Sequence, residues 1–438
     1  MKSFLNTGSY PGAFWVAGQP ESTCHGRLIL ADDAPRIELD EMLTPGMRLV
    51  STDGEYSCYE PADGGPECED LTIHGRLLAP QVDITLMEAF TSSRTHGLAG
   101  FLNPSVGTQT LVGRYLLLGQ HLDRPLFTCV EIGFQHLDEW AGLAGFESSE
   151  MSARTYALQL TLPDIPEAVL ESGGMVTLGQ HVELLANSVT ARTISRTVSV
   201  RVLGAAPMTF DEVNRRILAP LRSLIRLCLG RNTQLTALSL AEEPKGPWVD
   251  VTVRSAQPQS APIDRNRIFL PFADLGVEGI AAWLNIAPKI QPSMDQVSEF
   301  HARADHTIES MLQELTSVLE GTHTALHGKR KYRESVQGLV NDLRDVCPEA
   351  TGQVDIWVSK VVTARNRFAH QDVTKHDSTA SYIVLHESLY WVIAMRLFLA
   401  IGVPAETLRQ RLARSGSYSQ FLRRARLWLP EVYPSGTC

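Results

Sequence analysis

The spacing of apolar residues changes once along this chain of 438 residues, from a repeat of two to a repeat of about 3.6, and that change limits the fold more than any other feature. In the first two hundred residues the apolar segments are short and rich in Val, Ile, Leu and Thr. They run over Leu71–Leu78, Val82–Ala89, Thr110–Leu118, Phe127–Phe134, Thr155–Leu162, Val176–Leu185 and Ile194–Leu203, with Gly, Pro, Asp or Ser between them. Seven or more such strands predict an antiparallel, sandwich-like region or a strongly bent sheet. The acidic stretch Asp53–Asp70, with Pro61 and Gly64-Gly65-Pro66, reads as an exposed loop.

The character changes at Thr209. A helix is expected from Phe210 to Leu229, opened by Thr209 with Glu212 three residues on and stopped by Gly230. Strands at Thr236–Leu240 and Val249–Val253 and a connector at Ser255–Arg267 follow. From Asp274 onward helices are expected over 274–286, 294–327, 331–346, 353–370, 378–401, 404–414 and 418–428. Pro288, Pro292, Pro348, Pro404 and Pro430 fall between them as breakers. The fold class is therefore α+β and multidomain: a β-rich region over 1–205, a mixed connector over 206–291 and a C-terminal helical bundle over 292–430.

Composition narrows the function classes. The seven cysteines are scattered, odd in number and without a C-x-x-C, which suits reduced thiols in a cytoplasmic protein. No apolar run approaches the ~20 residues of a membrane span, and Met1 to Thr7 hold no long apolar stretch of a secretion signal. The net charge of −10 divides unevenly: residues 301–438 carry 17 basic and 14 acidic side chains, and the first 300 carry 22 and 35. Only the back of the chain suits a polyanion. There is no P-loop, no Gly-x-Gly-x-x-Gly and no Gly-x-Ser-x-Gly, and no cofactor is expected.

One hexapeptide carries chemistry: Arg365-Asn366-Arg367-Phe368-Ala369-His370. With 32 Arg and 13 His, about one Arg-x4-His pair is expected by chance, but an Asn directly after the Arg lowers that to about 0.02. Metal-free RNA cleavage needs a group to move the 2′-hydroxyl proton and a fixed cation for the phosphorane. Histidine, with an ordinary pKa of about 6.5, suits the first task; arginine, a permanent planar fork, suits the second. On a helix, Trp357, Val361, Ala364 and Phe368 fall on one stripe as core. Asn366 and His370 lie one turn apart, with Arg365 at the edge of the core stripe. A second stripe, Val358, Val362 and Ala369, predicts cover from a neighbouring helix or another subunit. Spacing alone leaves open that these are polar residues rounding off an exposed helix end.

At these residues the chain resembles a HEPN-domain ribonuclease, whose signature is Arg, a polar residue, three more residues and His. Leu319-Glu320-Gly321-Thr322-His323, followed by a basic run and another helix, resembles the ApeA-like subgroup. Leu397-Phe398-Leu399-Ala400-Ile401-Gly402-Val403 resembles its final helix and glycine stop. Gly12-Ala13-Phe14-Trp15 and His136-Leu137-Asp138-Glu139-Trp140 resemble the ApeA N-terminal region. The resemblance implies an antiphage, abortive-infection endoribonuclease: a helical HEPN homodimer or higher oligomer that cuts RNA, tRNA among the possible substrates. The products would carry a 2′,3′-cyclic phosphate and a 5′-hydroxyl. By position His370 would be the acid/base residue, Arg365 the phosphate binder and Asn366 the positioner. By analogy the β-rich front end would be a sensor or restraint, open to a phage-derived trigger.

Other clusters rank lower. Lys329, Arg330, Lys331 and Arg333 surround Tyr332 in an expected helix–helix turn and suit an RNA backbone, with Tyr332 as a stacking face; a solvated basic loop is the plainer account. Glu320 suits support of the site or the core. Glu320-x-x-His323 lacks the second unit of a di-metal site, Thr324 stands where a zincin needs Glu, and Cys24, His25, Cys58, Cys68 and His74 are irregularly spaced for zinc. No metal is expected. The rival to the enzyme is a non-catalytic HEPN scaffold that dimerises and recognises a partner.

Overall fold

A computed structural model describes residues 5, 7–31, 34–43, 47–53, 56–61, 71–96, 107–143, 145–152, 155–186, 192–252, 263–300, 307–370 and 378–434. In chain order, strands β1 (Gly8–Val16), β2 (Cys24–Leu30), β3 (Arg36–Leu39), β4 (Met47–Asp53), β5 (Tyr56–Pro61), β6 (Leu71–Leu78), β7 (Gln81–His96), β8 (Gly107–Val112), β9 (Tyr115–Leu118) and β10 (Cys129–Phe134) come first. After the short helix α1 (Leu137–Ala141) come β11 (Phe146–Ser152), β12 (Thr155–Leu160), β13 (Ala168–Val169), β14 (Met175–Ala186) and β15 (Arg192–Leu203). Helices α2 (Phe210–Val213) and α3 (Ala219–Leu229) are joined by a π-turn, Asn214–Leu218, and precede β16 (Leu235–Ala241) and β17 (Val249–Val251). Helices α4 (Phe272–Ser298), α5 (Ile308–His327), α6 (Tyr332–Asp342), α7 (Val354–His370), α8 (Thr379–Ala400), α9 (Ala405–Arg414) and α10 (Gly416–Trp428) complete the chain. A β-rich N-terminal region thus precedes a helical C-terminal one, as the change of period predicts.

The chain divides into two compact units, one made of residues 1–133, 203–210 and 235–259, the other of 134–202, 211–234 and 260–438. In the first, β7, β6, β1, β2, β3 and β8 pair in that order, every pair antiparallel, and β8 pairs back onto β7. Six strands therefore form a closed ring. Strand β7 makes closure possible through its length: Leu71–Leu78 and Tyr115–Leu118 pair with its first half, and Gly107–Val112 with its second. Phe14, Leu28, Ile37, Leu39, Ile73, Leu77, Ile84, Leu86 and Leu111 share the buried core of this unit. The ring is tight enough to require glycine at Gly26, where a Cβ would stand 2.2 Å from the Glu38 carbonyl oxygen.

Several expectations need correction here. The expected single strand Thr110–Leu118 is two, β8 and β9, which pair with different halves of β7. Between them Gly113 fits against Leu86, where a Cβ would clash, and Arg114 pairs with Glu88 at 3.0 Å. The supposed loop 53–70 contains β5; 62–70 lie outside the described residues. Strands β1 and β2 had no expectation, since Gly, Pro and Arg interrupt their apolar residues, and β3 is only four residues long.

In the second unit α4 packs on α3, and α5 packs against α4, α6, α7 and α8. Pro288 and Pro292, expected between helices, lie inside α4. Buried Trp283, Ala287, Ile290, Met294 and Val297 line both sides of them. That burial outweighs the ~3 kcal/mol an interior proline costs. The break comes later, at Glu299, and α5 opens on Thr307, whose Oγ1 accepts from the Ser310 amide at 3.3 Å. Among the described residues α8 alone is long and apolar enough to cross a membrane, but most of it is buried as a core helix.

Helix α7 is fixed to α8 by a buried relay. The Trp357 indole donates to Ser388 Oγ at 2.7 Å, and Ser388 donates to the Ala350 carbonyl at 2.6 Å. The Tyr433 hydroxyl donates to the same carbonyl at 2.8 Å. Ser388→Ala leaves the indole N–H buried and unpaired and is expected to destabilise the fold by about 1–3 kcal/mol in denaturant unfolding.

His386, also on α8, is buried with its ring stacked on Phe300 at 4.7 Å. Burial lowers its pKa from 6.5 to about 4. Between those pH values the unfolded chain binds a proton that the folded protein refuses, so stability falls as pH drops through this window. The loss reaches about 3 kcal/mol near pH 4. His386→Phe is expected to flatten that part of the stability–pH curve.

Candidate functional site

Helix α7 buries Trp357, Val358, Val361 and Ala364. With that face inward, Arg365 and Arg367 lie at half-exposed positions and Asn366 in solvent. The Val358 end of the second apolar stripe is covered within the chain, where α5 and α6 pack against α7. Val362 is half-buried. Arg367 reaches the Tyr382 hydroxyl on α8. The backbone of His370 is the last of α7, and the side chains of Phe368, Ala369 and His370 lie outside the described set.

Three groups surround the Arg365 guanidinium. Its Nη2 meets Glu320 Oε2 at 3.4 Å, and its Nη1 donates to Asn366 Oδ1 at 3.5 Å. Its Cζ stands 5.0 Å from the centre of the Tyr332 ring. Glu320 and Arg365 expose 38% and 39% of their side chains, so water and an incoming anion both reach the pair. The structure thus joins three of the sequence candidates, Glu320 on α5, Tyr332 on α6 and Arg365 on α7, across 45 residues of chain. No local pattern announces that meeting.

Tyr332 differs from its basic neighbours. Lys329, Arg330, Lys331 and Arg333 are exposed, while Tyr332 turns inward. Its hydroxyl is buried beside Thr316, with no hydrogen bond of good geometry among the described residues. Burial raises the phenol well above its ordinary pKa, with Arg365 and then Thr316 pulling partly against that. Arg365 covers one face of the ring.

One turn beyond Glu320, His323 is buried, and neither ring nitrogen has a hydrogen-bond partner. Burial, then neighbouring His327, lowers its pKa. The ring fits because position 338 is glycine, where a Cβ would come within 2.7 Å of it. His327 meets Asp342 at 3.0 Å and Arg396 at 3.1 Å, and Arg396 donates to Asp342 at 2.9 Å. No local pattern marks this network, which draws Asp342 and Arg396 from separate helices. Glu320 is thus committed to Arg365 and His323 to the interior. Among the described residues no group of three or more His, Cys, Asp or Glu is placed to hold a metal. Cys24 is buried as a thiol, and the side chains of Cys58 and Cys68 lie outside the described set.

The front of the chain bears its own marks. In Gly12-Ala13-Phe14-Trp15, the Phe14 ring fills the ring of strands against Gly75, where a Cβ would stand 2.5 Å from it. In His136-Leu137-Asp138-Glu139-Trp140, Asp138 accepts from the Val198 amide at 2.9 Å and buried Trp140 donates to the Leu270 carbonyl at 2.9 Å. Both segments lie within residues 9–286, which match the family model described as ApeA N-terminal domain 1.

The chain belongs to the ApeA family.

It is an ApeA-like antiphage-defence protein. The match ends inside α4, so α5 to α10 lie beyond the ApeA domain and their chemistry rests on their own residues. No curated protein and no solved structure matches the chain.

Glu320→Gln tests how the ApeA chain holds Arg365. The pair is half exposed and long, so unfolding free energy is expected to change by less than about 1 kcal/mol. Affinity for a fluorescein-labelled RNA 20-mer, read by anisotropy, is expected to rise about two- to fivefold at low salt, with the gain shrinking as salt is added.

Proposed function

We propose that this protein is a metal-independent HEPN endoribonuclease of antiphage defence. His370 acts as the acid/base group, Arg365 binds the scissile phosphate and Asn366 orients it. The observation that carries the reading is the state of Arg365: a half-exposed guanidinium, fixed in place by three neighbours and beside Asn366, one helical turn before His370. A cation held in place before substrate arrives stabilises phosphorane charge without reorganising.

In this reading a neutral imidazole removes the 2′-hydroxyl proton and O2′ attacks phosphorus. The bond to the 5′-oxygen breaks, and that oxygen leaves with a proton from an imidazolium. The products are a 2′,3′-cyclic phosphate and a 5′-hydroxyl. Each chain brings one His370, so a homodimer that juxtaposes two copies supplies base and acid together. The exposed cations Lys329, Arg330, Lys331 and Arg333 guide the RNA backbone. The ApeA domain restrains the nuclease until a phage-derived trigger arrives, since unrestrained cleavage would kill the host.

RNA integrity in bacteria expressing wild-type protein or His370→Ala, before and after phage challenge, tests this. RNA fragments ending in 2′,3′-cyclic phosphate are expected in infected wild-type cells, at least a hundredfold fewer with His370→Ala, and with both proteins equally folded and equally oligomeric. Equal phage protection by the two without RNA loss would make the helical bundle a scaffold.

A further inference from the structure

We propose that Tyr332 is a positioning residue for Arg365, a floor that keeps the guanidinium in place while a phosphate takes the position of Glu320. The inference rests on the ribonuclease reading and deepens it. Of the three groups around Arg365, Glu320 and Asn366 accept hydrogen bonds at 3.4 Å and 3.5 Å. Both contacts are at the long limit for a hydrogen bond, and both use N–H groups that a phosphate oxygen would claim. The third group is different. Tyr332 attracts the cation through its ring face, 5.0 Å from Cζ, and consumes none of its donors. Arg365 can therefore exchange one anion for another without losing its support.

Tyr332 is itself well held. It opens α6, its hydroxyl is buried beside Thr316, and Ser335 and Val336 one turn on are fully buried. Thr316 spends its own hydroxyl on the Gln313 carbonyl at 2.7 Å. Since burial keeps the phenol protonated, the ring stays neutral across the working pH range and the stack does not titrate. This explains why an aromatic residue interrupts the run Lys329-Arg330-Lys331-Tyr332-Arg333: four cations face solvent and the ring faces Arg365.

The test uses the full chain with labelled arginine. The Arg365 side-chain N–H signal, assigned by its loss in Arg365→Lys, is expected to carry a ring-current shift that disappears in Tyr332→Leu and persists in Tyr332→Phe. In infected cells Tyr332→Leu is expected to slow RNA fragmentation about tenfold, and Tyr332→Phe to restore it. Affinity for the RNA 20-mer, measured in the His370→Ala background, is expected to change less than threefold, because the loss falls on the reacting state. Wild-type rates from a folded Tyr332→Leu protein, or equal losses in Leu and Phe variants, would overturn the proposal. So would a wild-type Arg365 signal without a ring shift, even in a protein that cuts RNA. A ring-shifted Arg365 in a protein that cuts no RNA after phage challenge removes the ribonuclease reading instead, and the stack loses its catalytic purpose.

Discussion

The rotation of α7 about its own axis is the setting on which the candidate site depends, and the burial of Trp357 decides it. A Trp side chain with no exposed surface contributes more burial energy than any other residue of that helix, and its indole N–H must also find an acceptor. Ser388 supplies one, on a helix buried on nearly every side. Once that bond is made, Val361 and Ala364 follow Trp357 inward, and Arg365 is left at the margin with Asn366 outside. Polar residues at a helix margin ordinarily cost and contribute little. Here the position is fixed from below by apolar packing, so the guanidinium is delivered to one place.

Its surroundings are arranged by the same economy. Helix α5 presents Glu320 from a face otherwise buried through Leu312, Leu315 and Leu319, and α6 presents Tyr332 from its first turn. Each helix thus uses its core-facing stripe to aim one polar or aromatic side chain. The polar atoms left behind these side chains are less comfortable: the hydroxyls of Thr322, Tyr332 and Ser335 and both nitrogens of His323 are buried without partners. Such atoms each cost free energy.

How far the sequence revealed this depends on the range of the interactions involved. The core stripe of α7 was legible because helical period is a local property, and Trp357, Val361 and Ala364 are buried as their spacing requires. The stop of α3 at Gly230 was legible for the same reason, with a left-handed φ of 63° that glycine adopts freely. The path of α4 through Pro288 and Pro292 was not, because tertiary burial there overrides a local rule. Nor was the stack of Arg365 on Tyr332, which joins helices whose contact no periodicity records. The strands β1 and β2 were not legible because a tight ring uses Pro11, Gly12 and Gly26 where an open sheet would use branched residues.

That ring has a consequence beyond its stability. Each of its six strands has a hydrogen-bonded neighbour on both sides over part of its length. Among the described residues only short stretches such as Gly8–Pro11 and residues 90–96 are paired on one side alone, so little edge is left on which a further strand could add. The register of each strand is held by two neighbours rather than by the turn that leads into it. A slip of one strand by one residue would have to carry the whole ring with it, so closure makes register a collective property of the six strands.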